Sequence, residues 1–161
     1  MEELMTLLDE HLSCSGIDIS DDFIRFSVIS TRKECVCPSC QQASSRVHSR
    51  YSRSFQDLPI QDKKVIITLL NRKLFCDNMA CHRTTFAETF HFIDHNAKKT
   101  QRLKETILEV SLTQSAVSAA AYLSQHVVDV KKSTICNYQK KKALSRSIKR
   151  RLKPSVLMIS H

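Results

Sequence analysis

The sequence predicts an α+β protein in which a small β domain precedes an α-helical region. Three observations carry this expectation. Strand-like runs of β-branched and apolar residues fall between residues 17 and 75, helical periodicity takes over from about residue 97, and two closely spaced cysteine pairs flank the last two strand-like runs. The 161 residues, 42% of them apolar, suffice for one ordinary domain or two small ones with modest cores.

Residues 1–12 read as a short helix, with Leu4, Leu7, Leu8 and Leu12 on one side. Within residues 17–30, Phe23, Arg25 and Ser27 alternate with Ile24, Phe26 and Val28, which predicts a strand. Residues 44–56 and 63–75 are two further strands. The second, KKVIITLLNRKLF, is rich in β-branched and apolar residues, and Pro59 with Asp62 marks the turn before it. Helices are expected near 100–112, 115–126 and 133–145. Gly16 is the sole glycine, so a phosphate-cradling glycine loop is excluded. There is no internal repeat and no low-complexity linker.

The net charge of +9 is unevenly spread. Residues 1–36 carry 3 basic and 8 acidic side chains, residues 37–95 carry 8 and 5, and residues 96–161 carry 14 and 3. A far end this basic suits a polyanionic partner, against the plainer reading of a solvated basic tail. An anionic membrane surface fits less well, because few exposed aromatics or apolar stripes accompany the cations. No run of 18 apolar residues spans a membrane, and the acidic start MEELMTLLDEHL lacks the basic region of a secretory signal. A cytoplasmic location follows as the expectation. There cysteines stay reduced, and seven of them suggest metal ligation ahead of disulfides.

Cys37 and Cys40 form a CPSC knuckle, and Cys76 and Cys81 form CDNMAC. Zinc takes four soft ligands in a tetrahedron, and a two-residue gap lets both thiolates of one turn reach one ion. The 35 residues between the pairs exceed the usual interval, but two strands and their turn would fill it and return the pairs to one end of a hairpin. The β domain is therefore expected to be zinc-bound and zinc-ribbon-like, with all four cysteines as closed structural ligands. Cys35 and His82 stand beside ligands as weaker substitutes. Cys14 and Cys136 read as small core residues, and His91 and His95, four apart, as ordinary surface or core residues.

Two segments are candidates for nucleic-acid contact. On a regular strand Arg46, His48 and Arg50 share one face, with Val47 and Tyr51 on the other, and such a row suits phosphates. A charged, protected edge strand is the alternative. The segment 115–142 has the look of a helix-turn-helix. Ser133 is placed as the cap of its second helix, Thr134 and Asn137 as outward groups near the N-terminal end, and Lys140, Lys141 and Lys142 as phosphate contacts. Asn137 would pair with adenine. The connection HVVDVKK is longer than usual and lacks glycine, which leaves a plain helical bundle as the competing reading.

The order of these motifs resembles the N-terminal region of the ISL-three family of bacterial insertion-sequence transposases. The matching residues are the CPSC knuckle, His48 to Tyr51, Arg53, Asp57 to Pro59, Arg72, Phe75, Cys76, Asn78, Cys81 and Thr85 to Glu88, and the likeness covers roughly residues 20–150. It implies a cysteine zinc finger, then a helix-turn-helix that binds double-stranded DNA for transposition, a form of DNA recombination. Arg46, His48, Arg50 and Arg53 of the first part, and Thr134, Asn137, Lys140 and Lys141 of the second, are the expected DNA contacts. The chain then divides into 1–95 (N-terminal helix and zinc-finger β domain), 96–153 (helix-turn-helix region) and 154–161, the expected start of a catalytic domain that is otherwise missing.

Two departures matter. Gln41 stands where the family knuckle carries a glycine that eases a positive φ. The chain closes on LKPSVLMISH, with Ser160 and His161 where an acidic pair is expected. The expectation is a truncated transposase that binds terminal inverted repeats without strand transfer and is not an enzyme. Its partners would be double-stranded DNA and no membrane, with a homodimer or association with full-length transposase. A zinc-ribbon protein-interaction module or transcriptional regulator is the alternative.

Overall fold

The computed structural model describes the backbone of residues 5–151 and the side chains of residues 5–145. Its elements are β1 (Leu12–Ile19), β2 (Phe23–Ser30), β3 (Cys35–Val36), β4 (Ala43–Ser44), β5 (Val47–Ile60), β6 (Lys63–Phe75), β7 (Thr85–Ala87), α1 (Gln101–Thr113), α2 (Ala116–His126) and α3 (Lys132–Arg151). The chain divides into two compact units between Leu103 and Lys104, within the first turn of α1.

The long hairpin β5–β6 organises the first unit. Ile60 pairs with Lys63, so the turn is two residues long, and Gln61 and Asp62 both hold positive φ, at 50° and 62°. That is the turn whose twist matches the flanking strands, here made without glycine. The sheet order is β1-β2-β6-β5, with β7 also on β6. β2 runs parallel to β6 and the other pairs are antiparallel, so the sheet is mixed.

The register explains which residues are buried. Phe26 lies across from Ile67 and Val28 across from Leu69, and Phe55 faces Ile67 from the other side. These side chains, with Val65, form a core that Met5, Leu12, Phe90, Phe92 and Ile93 cover. Phe92 sits against Phe55 and Phe90 at ring separations of 5.5 and 5.6 Å. Burying each such ring contributes roughly 1.5–3 kcal/mol. A second cluster at the open end of the hairpin holds Leu74, Phe86, Cys35, Cys37 and Cys76.

Asp57 is buried and ties the end of β5 to the start of α1. It accepts from Thr100 Oγ1 at 2.6 Å and from Arg102 Nε at 2.8 Å, and Arg102 Nη2 binds its second oxygen.

In the second unit, Ser115 caps α2 by accepting from the Ser118 N–H at 3.2 Å. Ala119 and Leu123 of α2, Val128 and Val130 of the connection, and Ile135 of α3 are buried. Gln139 Nε2 donates to the carbonyl and hydroxyl of Ser111, both at 3.2 Å, tying α3 to α1.

Three expectations need correction. Residues 1–12 are not one helix: among the described residues only Met5–Thr6 are helical, Leu12 opens β1, and Leu4 lies outside the described residues. Leu12 pairs with Ser30 and is buried while Leu7 is exposed, so sheet pairing overrides a marginal short helix. Residues 17–30 are two strands, parted where Ser20 Oγ accepts from the Phe23 N–H at 3.2 Å. Ser133 does not cap α3. The helix starts one residue earlier, and the carbonyl of Lys131 accepts from Thr134 and Ile135. Val130, just before that start, is buried.

Candidate metal centre

Cys40 ends the knuckle just before β4, and Cys76 follows the last residue of β6. Because β5 and β6 pair from Val47–Leu74 to Ile60–Lys63, the hairpin returns the second cysteine pair to the level of the first. The sulfurs of Cys37, Cys40, Cys76 and Cys81 lie within 4.8 Å of one another, and those of Cys40 and Cys76 are 3.5 Å apart. Zinc–sulfur bonds of about 2.3 Å set the edges of a tetrahedron at about 3.8 Å, so the cluster fits such an ion. Four thiolates around one ion would leave no open ligand position, the arrangement of a closed structural site. Among the described residues it is the one group of three or more His, Cys, Asp or Glu side chains so placed.

Backbone bonds shape both knuckles. The Gln41 N–H donates to the Cys37 carbonyl and the Cys37 N–H to the Gln42 carbonyl, both at 2.9 Å. This turn puts Gln41 at φ 61°, the left-handed position for which the sequence lacks a glycine. On the other side the Cys81 N–H donates to the Asn78 carbonyl at 3.0 Å, and the Arg83 N–H to Cys81 Sγ at 3.4 Å.

The thiols are not equivalent. The backbone N–H groups of Cys40 and Ser39 lower the pKa of Cys37 to about 7. At Cys76 the Asn78 N–H also pulls downward, but burial and the crowding thiols of Cys40 and Cys37 push it up to about 12. At Cys81 the Arg83 N–H is likewise outweighed, by burial and Cys40, and the pKa is raised. A metal ion therefore has to displace the protons that Cys76 and Cys81 hold.

Cys35 is outside the ligand set. Burial and neighbouring Glu88 push its thiol up to about 11, and it sits beside the Arg72 guanidinium at 3.7 Å. Arg72 binds Glu88 through Nε at 2.9 Å and Nη2 at 3.1 Å, and Ser30 Oγ donates to the same carboxylate at 2.6 Å. Burial raises the Glu88 pKa, but these bonds outweigh it and hold the carboxyl below its usual range. The pattern around Arg72 and Thr85 to Glu88 was visible in sequence, but its role as an ion pair fastening β7 to β6 was not.

The expected DNA contacts separate into distinct settings. The register shifts between Val47 and Ser49, making His48 the extra residue of a bulge. Arg50 then lies across from Arg72 on the face of Val47, and Tyr51 lies across from Asn71 on the other. Arg46, His48 and Arg50 therefore do not form one row. Arg46 and His48 flank Phe75, the guanidinium 5.1 Å and the imidazole 4.9 Å from its ring, and Arg46 Nε pairs with Asp77 at 2.6 Å. Arg50 is exposed, and Arg53 is half-buried and donates to the Asp94 carbonyl at 3.3 Å. On α3, Asn137, Lys140 and Lys141 are exposed, while Thr134 and Lys142 are half-buried.

No helix among the described residues is long and apolar enough to cross a membrane. No curated protein and no solved structure matches the chain. Residues 33–81, which include all four clustered cysteines, match the family model described as the zinc-finger of transposase IS204/IS1001/IS1096/IS1165.

Proposed function

We propose that the chain is a zinc-dependent DNA-binding part of an insertion-sequence transposase, acting on double-stranded DNA at terminal inverted repeats. The carrying observation is that the four-thiolate cluster coincides with the segment similar to transposase zinc fingers. Zinc is the ion this donor set suits, since it takes four thiolates without redox chemistry. Its work is structural: it locks the two knuckles across the open end of the hairpin.

The helical unit supplies the reading of the duplex as a helix-turn-helix. Support comes from α3, where Ser133, Asn137, Lys140, Lys141 and Leu144 recur at intervals of three and four residues and all are exposed. Asn137 near the helix start is the group suited to adenine, and the lysines to phosphates. The charge of residues 96–161, 14 basic against 3 acidic, favours a polyanion on this half. The protein acts in the cytoplasm, as a homodimer or beside another transposase chain.

On this reading the 161 residues occupy DNA ends without cutting or joining them. Strand transfer uses acidic residues around two metal ions, and a closed four-thiolate site offers no such chemistry. The test is a mobility shift with metal-loaded protein and a duplex carrying the inverted repeat of a related element. A shifted band that weakens steeply with salt, with no nicking in magnesium or manganese, is expected. An unshifted duplex at low salt overturns the reading.

A further inference from the structure

β5 is the outer strand of its sheet, and its free edge is only partly covered. Gln56 bonds outward: its N–H donates to the Lys98 carbonyl at 2.9 Å, and its carbonyl accepts from the Thr100 N–H at 3.0 Å. Outward and inward groups alternate along a strand, so the backbone N–H groups of Ser54 and Ser52 also point away from β6. Opposite them the chain turns at residues 94–97, where the Ala97 N–H donates to the Asp94 carbonyl at 3.1 Å and Asn96 holds φ 60°. The turn stands off from the edge and encloses a cavity of about 300 Å³.

Its lining is one-sided in charge. Tyr51, Arg53, Ser52, Ser54, His95 and Lys98 contribute, with Asn96 and Ala97, and no carboxylate-bearing residue is among them. Arg53 gives one guanidinium N–H to the Asp94 carbonyl at 3.3 Å, and four of its five donors lie beyond that bond. The Tyr51 hydroxyl is hydrogen-bonded to the Asn71 side-chain amide at 2.8 Å, which fixes this cavity-lining ring. Cations, hydroxyls and outward N–H groups facing one concavity make a donor-rich, acceptor-poor site of the kind that takes a tetrahedral anion.

We infer that this cavity binds a phosphate group of the DNA backbone, fixing the first unit on the duplex through Arg53, Lys98 and the β5 edge. The inference rests on the DNA-binding reading above and locates a contact outside both the zinc knuckles and α3. A cationic fringe that merely keeps the edge from pairing with other strands is the competing explanation.

The experiment compares zinc-loaded wild type with Lys98→Gln, Arg53→Gln and, as an exposed cation elsewhere, Lys33→Gln, by fluorescence anisotropy on one labelled duplex across a salt series. Each cavity variant should weaken binding and make the logarithmic salt slope shallower by about 0.9, the loss of one phosphate contact. Lys33→Gln should leave both unchanged. Zinc content and thermal unfolding of each variant separate a lost contact from a lost fold. Because Arg53 also holds the Asp94 turn, the Lys98→Gln result decides. In a parallel arm, inorganic phosphate alone is titrated while the amide signals of Ser52 and Ser54 are followed by NMR. Shifts with duplex, and none with equimolar free phosphate, assign the site to the DNA backbone; shifts that free phosphate alone saturates overturn that assignment. Wild-type binding with unchanged slopes in Lys98→Gln overturns the cavity and leaves the general reading intact. Failure of the wild type to bind DNA overturns that reading first.

Discussion

Cys40 Sγ lies 3.5 Å from Cys76 Sγ although they stand 36 positions apart in sequence, and the path between them is almost entirely one hairpin. That hairpin pairs without interruption from Ser49–Lys73 to Asp57–Val65, so its register, set by the apolar alternation of β6, also sets the spacing of the two cysteine pairs. Metal binding and sheet register are thus one folding problem. Structural zinc in small domains contributes apparent energies of about 10–16 kcal/mol, more than most domains have in total.

Zinc affinity should fall with acidification, and faster below a pH of about 7. Above it Cys37 is already a thiolate, lowered by the Cys40 and Ser39 N–H groups, so the ion displaces protons from raised Cys76 and Cys81. Below it Cys37 must also lose a proton, which adds to the slope. Competition with a chromophoric chelator across pH reads this directly. An affinity independent of pH would contradict the four-thiolate assignment.

Gln41→Gly should stabilise the zinc-loaded protein by about 1 kcal/mol, since a side chain at φ 61° carries a left-handed penalty that glycine avoids. Thermal unfolding measures it. A lower melting temperature for the glycine variant would show that the Gln41 side chain holds something the knuckle needs.

The Arg72–Glu88 pair should matter far more than the Arg46–Asp77 pair. The Glu88 side chain is fully buried and that of Arg72 is 14% exposed, whereas the Arg46 side chain is 64% exposed. Glu88→Gln leaves the half-buried guanidinium without its counter-ion, with the Arg32 carbonyl and Ser30 as remaining partners, and should cost up to about 3–5 kcal/mol. Arg46→Gln should cost less than about 1 kcal/mol. Urea unfolding of the two variants gives the comparison, and equal costs would refute the burial argument.

Arg50→Ala should weaken binding to every duplex alike and flatten its salt dependence, because Arg50 is an exposed strand cation suited to a phosphate. Asn137→Ala should cost about 1–3 kcal/mol, mainly on the preferred site. Binding curves on preferred and scrambled duplexes distinguish the two. If both variants lose affinity equally on both duplexes, α3 is not the reading helix.

Much of this molecule could be read from its residues. The limits of β6 follow from KKVIITLLNRKLF, and the cysteine quartet follows from two short gaps whose long interval two strands could fill. β1 escaped because its segment LSCSGIDI mixes polar residues with a register shift between Cys14 and Gly16, which breaks the alternation a reader looks for. The bulge at His48 escaped for the same reason: an inserted residue changes which side chains share a face without leaving a mark in composition. Pairings such as Arg46 with Asp77, and Arg72 with Glu88, depend on which segments the fold brings together, and single residue types do not reveal that. The cavity beside Arg53 is of this kind too, since His95 and Lys98 reach it only through the turn at 94–97.

The most direct test of the account is DNA affinity measured by fluorescence anisotropy on one preparation in three states: zinc-loaded, stripped with chelator, and reloaded with zinc. The zinc-loaded protein should bind an inverted-repeat duplex tightly, with strong salt dependence. The stripped protein should lose the share contributed by the first unit and keep only the weaker binding of its helical half. Reloading should restore the first curve. Stripped protein that binds the same duplex with the same affinity and salt slope would contradict the claim that the four-cysteine centre serves DNA binding.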